Sequence, residues 1–178
     1  DQTILIKVES ARLFSILKKI YGSMVIINYD MQPNLEYTIT ENKSHKINLI
    51  TIARRGINDL ITDDIGEFIF FFEKDMTIEL QKIRSDLLFI HSAALDYEGM
   101  GLLLVAPSGS WKSTTSLAII NYGFGYLSDE LAPIDLNSMS ITPDPHALNL
   151  KAIPPLFILP EDTLYTSQTI DVPIKEFC

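Results

Sequence analysis

Apolar positions change period several times along the chain, and each change marks an element. Over residues 3–8, Ile4, Ile6 and Val8 alternate with polar neighbours, which predicts a half-buried strand. From Ser10 the period lengthens. Leu13, Leu17, Ile20 and Tyr21 fall on one helical face, and Gly22 stops the helix. Residues 24–29 predict a second strand, residues 35–40 a third with Leu35, Tyr37 and Ile39 on one side, and residues 47–53 a fourth. Arg54-Arg55-Gly56 and Asn58-Asp59 read as turns, with the two arginines solvated. The aromatic residues 67–72 predict a short strand. Residues 75–86 predict a helix capped by Asp75, with Ile78, Leu80 and Ile83 on its apolar side. The first part is therefore expected to be a small α+β domain.

Residues 87–95 form a nearly continuous apolar run, interrupted by His91 and Ser92. A turn over 96–100 with Gly99 precedes a strand over 102–105, and the two strands pair naturally as a hairpin. Residues 113–122 predict a helix with Leu117 and Ile120 inward, ended by Gly123. A strand over 124–127 follows and delivers Ser128-Asp129-Glu130. Residues 134–141 suit a second hairpin around Leu136-Asn137-Ser138. From Pro143 onward six prolines predict loop and edge strand. The chain divides as an N-terminal α+β domain, residues 1–86, and a second unit, residues 87–178, with no repeat and no flexible linker.

The stretch Gly-Leu-Leu-Leu-Val-Ala-Pro-Ser-Gly-Ser-Trp-Lys-Ser-Thr-Thr from Gly101 to Thr115 carries the chemistry. Apolar strand, tight polar loop, Lys-Ser and helix is the layout of a phosphate-binding loop, in which backbone amides surround phosphate oxygens at the positive end of a helix. Lys112 would reach the outer phosphates, and the Ser113 hydroxyl would ligate magnesium. The motif's two glycines are replaced by Ala106 and Trp111, leaving Gly109, Lys112 and Ser113. Glycine serves there because backbone approaches phosphate closely or takes a positive φ. The plainer reading is an ordinary strand-to-helix connection with Ser108 or Ser110 as the cap. Trp111 is either a stacking platform for a base or a loop residue packed on its own helix. Asp129 and Glu130 follow Lys112 by 17 and 18 residues. A helix and a return strand fill that gap, which would set both acids beside the loop in a parallel sheet. Acids so placed can hold magnesium and take a proton from a hydroxyl nucleophile; the alternative is a solvated strand end.

Composition narrows the partners. The formal net charge is −9 over 178 residues, and it is unevenly spread. Residues 1–90 carry 11 basic and 13 acidic side chains, and residues 91–178 carry 3 and 10. The half with the loop is the acidic half, which argues against nucleic acid as the phosphate partner and is compatible with a magnesium nucleotide. No apolar run is long enough to cross a membrane. The single cysteine, Cys178, excludes a disulfide framework and fits a reducing cytoplasm. The start at Asp1 suggests a piece of a longer protein. His45 and His146 read as loop residues, no His/Cys cluster has zinc spacing, and Ser108-Gly109 lacks the lead-in of a nucleophile elbow.

His91, then Ala106-Pro-Ser-Gly-Ser-Trp-Lys112-Ser113, then Gly123, then Leu127-Ser-Asp129-Glu130 resembles the catalytic core of the HPr serine kinase/phosphorylase family. The pattern is nearest to the HPr-kinase-like proteins found beside peptide-modification genes, and the loop is similar to that of PEP carboxykinase. The resemblance covers roughly residues 86–150, including the 21 positions from His91 to Lys112. It implies an α/β fold with a P-loop core that continues past the present C-terminus, preceded here by the small α+β domain. It implies ATP and Mg2+ as cofactors. Ala106, Pro107, Ser108, Gly109, Ser110, Trp111, Lys112, Ser113 and Thr114 would line the nucleotide, and Ser113 and Asp129 would hold the metal. Glu130 would be the base, Asp129 would assist at the metal, and His91 would orient that centre. The implied substrate is a serine of a protein or peptide, and a homo-oligomer is left open. The alternative expectation is a nucleotide-binding regulatory or scaffold module, impaired by Trp111 and Ala106. A weaker one is a kinase of a small molecule.

Overall fold

The computed structural model describes residues 2–26, 32–44, 47–155 and 157–174. Strands β1 (Ile4–Val8), β2 (Leu35–Ser44), β3 (Ile47–Arg54) and β4 (Leu60–Thr62) form a sheet in that order, with β1 parallel to β2 and the other pairs antiparallel. Alternation sorts the side chains. Leu35, Tyr37 and Ile39 of β2 and Ile50 and Ile52 of β3 are buried, while the intervening Glu36 is exposed. Helix α1 (Ala11–Tyr21) starts at Ser10, whose hydroxyl accepts from the Leu13 amide at 3.3 Å. Its apolar stripe, Leu13, Ile16, Leu17, Ile20 and Tyr21, lies in the same core. Gly22 keeps a right-handed φ of −56°, so the chain continues into a 3-10 turn, Gly22–Met24. The strand expected over 24–29 is therefore absent at its start, where Val25 and Ile26 are exposed and outside any strand. Residues 27–31 lie outside the described residues, as does His45.

Helix α2 (Ile65–Ile83) replaces the strand expected over 67–72 and contains the helix expected over 75–86 as far as Ile83, starting ten residues before the expected cap, Asp75. Phe68, Ile69, Phe72 and Met76 are its buried set, at helical spacing. A strand would have split them across two faces. Burying one phenylalanine stabilises by about 1.5–3 kcal/mol, more than the roughly 1 kcal/mol span of strand propensity, so packing overrides the aromatic composition. The cap is Asp64, whose carboxylate accepts from the Glu67 amide at 2.9 Å. Asp75 sits mid-helix and accepts from the Tyr37 hydroxyl at 2.8 Å and from Arg54 Nε at 2.8 Å. Arg54 is thus no solvated turn residue. It ends β3, is largely covered, and also pairs with Glu79 at 3.1 Å.

The second half builds β5 (Leu87–Ile90), β6 (Ser92–Tyr97), β7 (Met100–Val105), α3 (Lys112–Ile120), β8 (Gly125–Ser128), β9 (Ala132–Asp135) and β10 (Ser140–Ile141). The apolar run over 87–95 is two strands in two sheets, broken at His91. Strand β5 pairs with β9 in a β10-β9-β5 sheet, and β6 lies between β7 and β8. Glu98 and Gly99, at φ 50° and 82°, turn the β6–β7 hairpin. All ladders of the β7-β6-β8 sheet are antiparallel, which corrects the expected parallel arrangement. Strands β7 and β8 both oppose β6, so they point the same way and their carboxyl ends share one edge.

Helix α3 buries Leu117 with Leu95 and Tyr126, and Ile120 packs beside them. Strands β11 (Leu148–Leu150), β12 (Leu164–Tyr165) and β13 (Ile170–Val172) form a β11-β13-β12 sheet whose Leu148, Leu150 and Val172 complete that core. Residues 144–147 tie the halves together. The Ala147 amide donates to Ile20 O at 2.9 Å, and Ala147 belongs to the core of α1 and α2. His146 lies in a loop, as expected, but is partly covered, with its ring 6.5 Å from that of Tyr21. Among the described residues no helix is long and apolar enough to cross a membrane.

Candidate phosphate-binding site

Strand β7 ends at Val105 and the loop begins at Ala106. The Ser110 amide donates to Pro107 O at 3.2 Å, closing a turn around Gly109, whose φ of 84° is free only to glycine. Trp111 also has positive φ, 64° with ψ 21°, and is 67% exposed. The backbone at 111 keeps the left-handed shape that the motif's glycine would supply, although an indole is attached. Trp111 is also the position before α3, and no side chain caps that helix. Neither Ser108 nor Ser110 serves as its cap. The first amides of α3 are thus offered to the loop, at the positive end of the helix dipole. Ser116 steadies the first turn by donating to Lys112 O at 3.0 Å.

Lys112 Nζ donates to Ala106 O at 2.9 Å and meets His91 Nε2 at 3.1 Å. An ammonium group can only donate, so Nε2 accepts and the His91 proton sits on Nδ1. That Nδ1 lies 3.0 Å from Glu130 O and 3.3 Å from Glu130 Oε1. The kink between β5 and β6 positions His91, and the end of β8 positions Glu130, so three elements converge on one histidine. Glu130 is largely exposed, whereas Asp129 is 2% exposed. Asp129 Oδ2 accepts from the Asn149 amide at 3.1 Å. Burial pushes the Asp129 carboxyl above its usual range, while the Asn149 amide and the Ser113 hydroxyl pull it back.

Asp129 Oδ1 is buried with no hydrogen-bond partner. An orphaned carboxylate oxygen next to a hydroxyl is the donor chemistry that a magnesium ion takes, since Mg2+ prefers oxygen and often uses one or two protein ligands plus phosphates. Ser113 and Asp129 therefore fit the metal. No group of three or more His, Cys, Asp or Glu among the described residues is arranged for a metal without such phosphates. The loop is open to solvent. A cavity of about 570 Å³ lies elsewhere, between the β6–β8 sheet and the β9–β10 hairpin, and is lined by Asp96, Gly101, Leu103, Leu127, Ile134 and Ile141.

Two residues escaped the sequence reading. Asn149 clasps Asp129 through its amide, and its side chain donates to Asp171 Oδ1 at 3.1 Å. Lys151 Nζ donates to Ser108 Oγ at 3.2 Å, which brings a second cation to the loop. The one available signal was scarcity. Residues 91–178 hold three basic side chains, Lys112, Lys151 and Lys175, and the first two meet at the loop. No protein-family model matches this sequence, no curated protein matches it, and no solved structure matches the fold.

Proposed function

We propose that the chain is an ATP- and magnesium-dependent kinase whose acceptor is a serine of a protein or peptide. The observation that carries this reading is the continuous path from loop to acid, Lys112 to His91 at 3.1 Å and His91 to Glu130 at 3.0 and 3.3 Å. The order of His, loop and acid pair that resembles the HPr kinase family supports it from the sequence side. The loop amides and Lys112 bind the phosphates. Ser113 and Asp129 would hold magnesium, which neutralises charge on the transferring group. Glu130, open to solvent, takes the proton of the serine hydroxyl as that oxygen bonds the γ-phosphorus and the bond to the departing ADP oxygen breaks. His91, neutral with its proton on Nδ1, holds Glu130 and Lys112 in register.

A second reading is favoured by one feature, the exposed indole on a left-handed backbone at position 111. It makes the chain a nucleotide-binding regulatory or scaffold module. Trp111 is the only tryptophan, so its emission reports on the loop directly. Under either reading Mg-ATP shifts that emission and Lys112→Ala removes the response. Labelled γ-phosphate then appears on serine if the chain is a kinase, and Glu130→Gln cuts transfer by about 10²–10⁴ while binding persists. Emission unchanged up to millimolar Mg-ATP would reject both readings. Binding with no transfer to any serine peptide or protein would leave the scaffold.

A further inference from the structure

We infer that Lys151 is a second phosphate-binding cation, and that it biases the site toward nucleoside triphosphate over diphosphate. The inference rests on the loop binding nucleotide, as proposed above. Lys112 does not have its full capacity to offer. Two of its three N–H donors point at Ala106 O and His91 Nε2, which leaves one for a ligand. Lys151 approaches from a different element and bonds Ser108, at the turn of the loop. With one donor on Ser108 Oγ, two remain.

A surface lysine bonded to a serine is ordinarily worth little, because its long chain must be ordered. Here the root of the side chain is already fixed. Leu148 and Leu150 are buried to within 1% of full, and the Asn149 amide is held on the Asp129 carboxylate. This short strand holds one residue on the metal-side acid, and the first residue after it, exposed in a bend, carries a cation to the phosphate loop. The surroundings call for that cation. Asp129 and Glu130 bring negative charge close to where an anionic ligand must enter, in a half of the chain with seven more acids than bases. An added cation attracts the more highly charged ligand more strongly, so its removal harms triphosphate binding most.

The experiment is calorimetric titration of the intact chain, at two salt concentrations, with Mg-ATP and Mg-ADP, together with thermal unfolding. Lys151→Met is expected to weaken Mg-ATP about tenfold and Mg-ADP about threefold, to flatten the salt dependence, and to leave the melting temperature unchanged. Lys151→Arg is expected to restore affinity to within about threefold, since it keeps the charge. If Lys151→Met binds both nucleotides as the parent does, the inference is wrong. It is also wrong if both weaken equally while melting falls and Arg fails to rescue, because that is loss of structure. If the parent itself gives no heat with millimolar Mg-ATP, the nucleotide reading fails first and this one goes with it.

Discussion

Gly109 and Trp111 both hold left-handed backbone, at φ 84° and 64°, and the two positions respond to substitution unequally. A Cβ added at Gly109 meets nothing within 4 Å, so Gly109→Ala carries only the backbone penalty, about 1 kcal/mol. A urea titration in which the free energy of unfolding falls by that amount checks it. A larger loss would mean that the loop itself rearranges. At Trp111 the penalty of roughly 1–2 kcal/mol is already present. Trp111→Gly removes it but frees the unfolded chain by about 0.5–1 kcal/mol, so stability should change by less than about 1 kcal/mol in the same assay. The indole is therefore neutral for folding, and its effect on Mg-ATP affinity isolates its part in binding.

Helix α2 teaches the most at the next scale. Its start depends on Asp64, which accepts from the Glu67 amide and also from Ser167 Oγ at 2.8 Å, across 103 residues. Asp64→Ala should cost about 1–2 kcal/mol in chemical denaturation. Ser167→Ala, which spares the amide bond, should cost less; equal losses would mean that the cap is not what matters. That helix was hidden in the sequence because Phe68, Phe70, Phe71 and Phe72 look like strand composition, and only the packing of Phe68, Phe72 and Met76 on Tyr37 and its neighbours decides otherwise. The β6–β7 hairpin, the loop, α3 and the acid pair were legible because their signals are local in spacing and turn chemistry. The insertion of β6 between β7 and β8 was not, since strand order is a long-range pairing. Nor were the bonds from Lys151 to Ser108 and from Asn149 to Asp129, which span 43 and 20 residues.

Across the whole molecule the two halves meet around partly or fully covered titratable groups. Burial pushes the Glu73 carboxyl, which accepts from the Tyr21 hydroxyl at 3.4 Å, up to about 7, and the Asp171 carboxyl up to about 6. Burial lowers the His146 imidazole, but Asp144 and Glu73 raise it further, so its net shift is upward. All three hold a proton more tightly folded than unfolded. Their stabilisation is complete below the unfolded values and is lost as pH climbs through the folded ones. For Glu73 that window runs from its ordinary 4.5 to about 7 and is worth roughly 3 kcal/mol. Melting temperature should therefore fall between pH 5 and pH 7, and Glu73→Gln should remove part of that slope, leaving the share of Asp171, His146 and Asp129. An unchanged slope would put the proton elsewhere. The tie between Asn149 and Asp129 reaches beyond equilibrium. During translation His91, the loop and the acid pair emerge from the ribosome before Asn149 and Lys151 do. A nascent chain paused in that interval exposes the loop but lacks the Asn149 amide that clasps the Asp129 carboxylate. Nucleotide capture on ribosome-tethered chains of increasing length should switch on only once the later strand emerges.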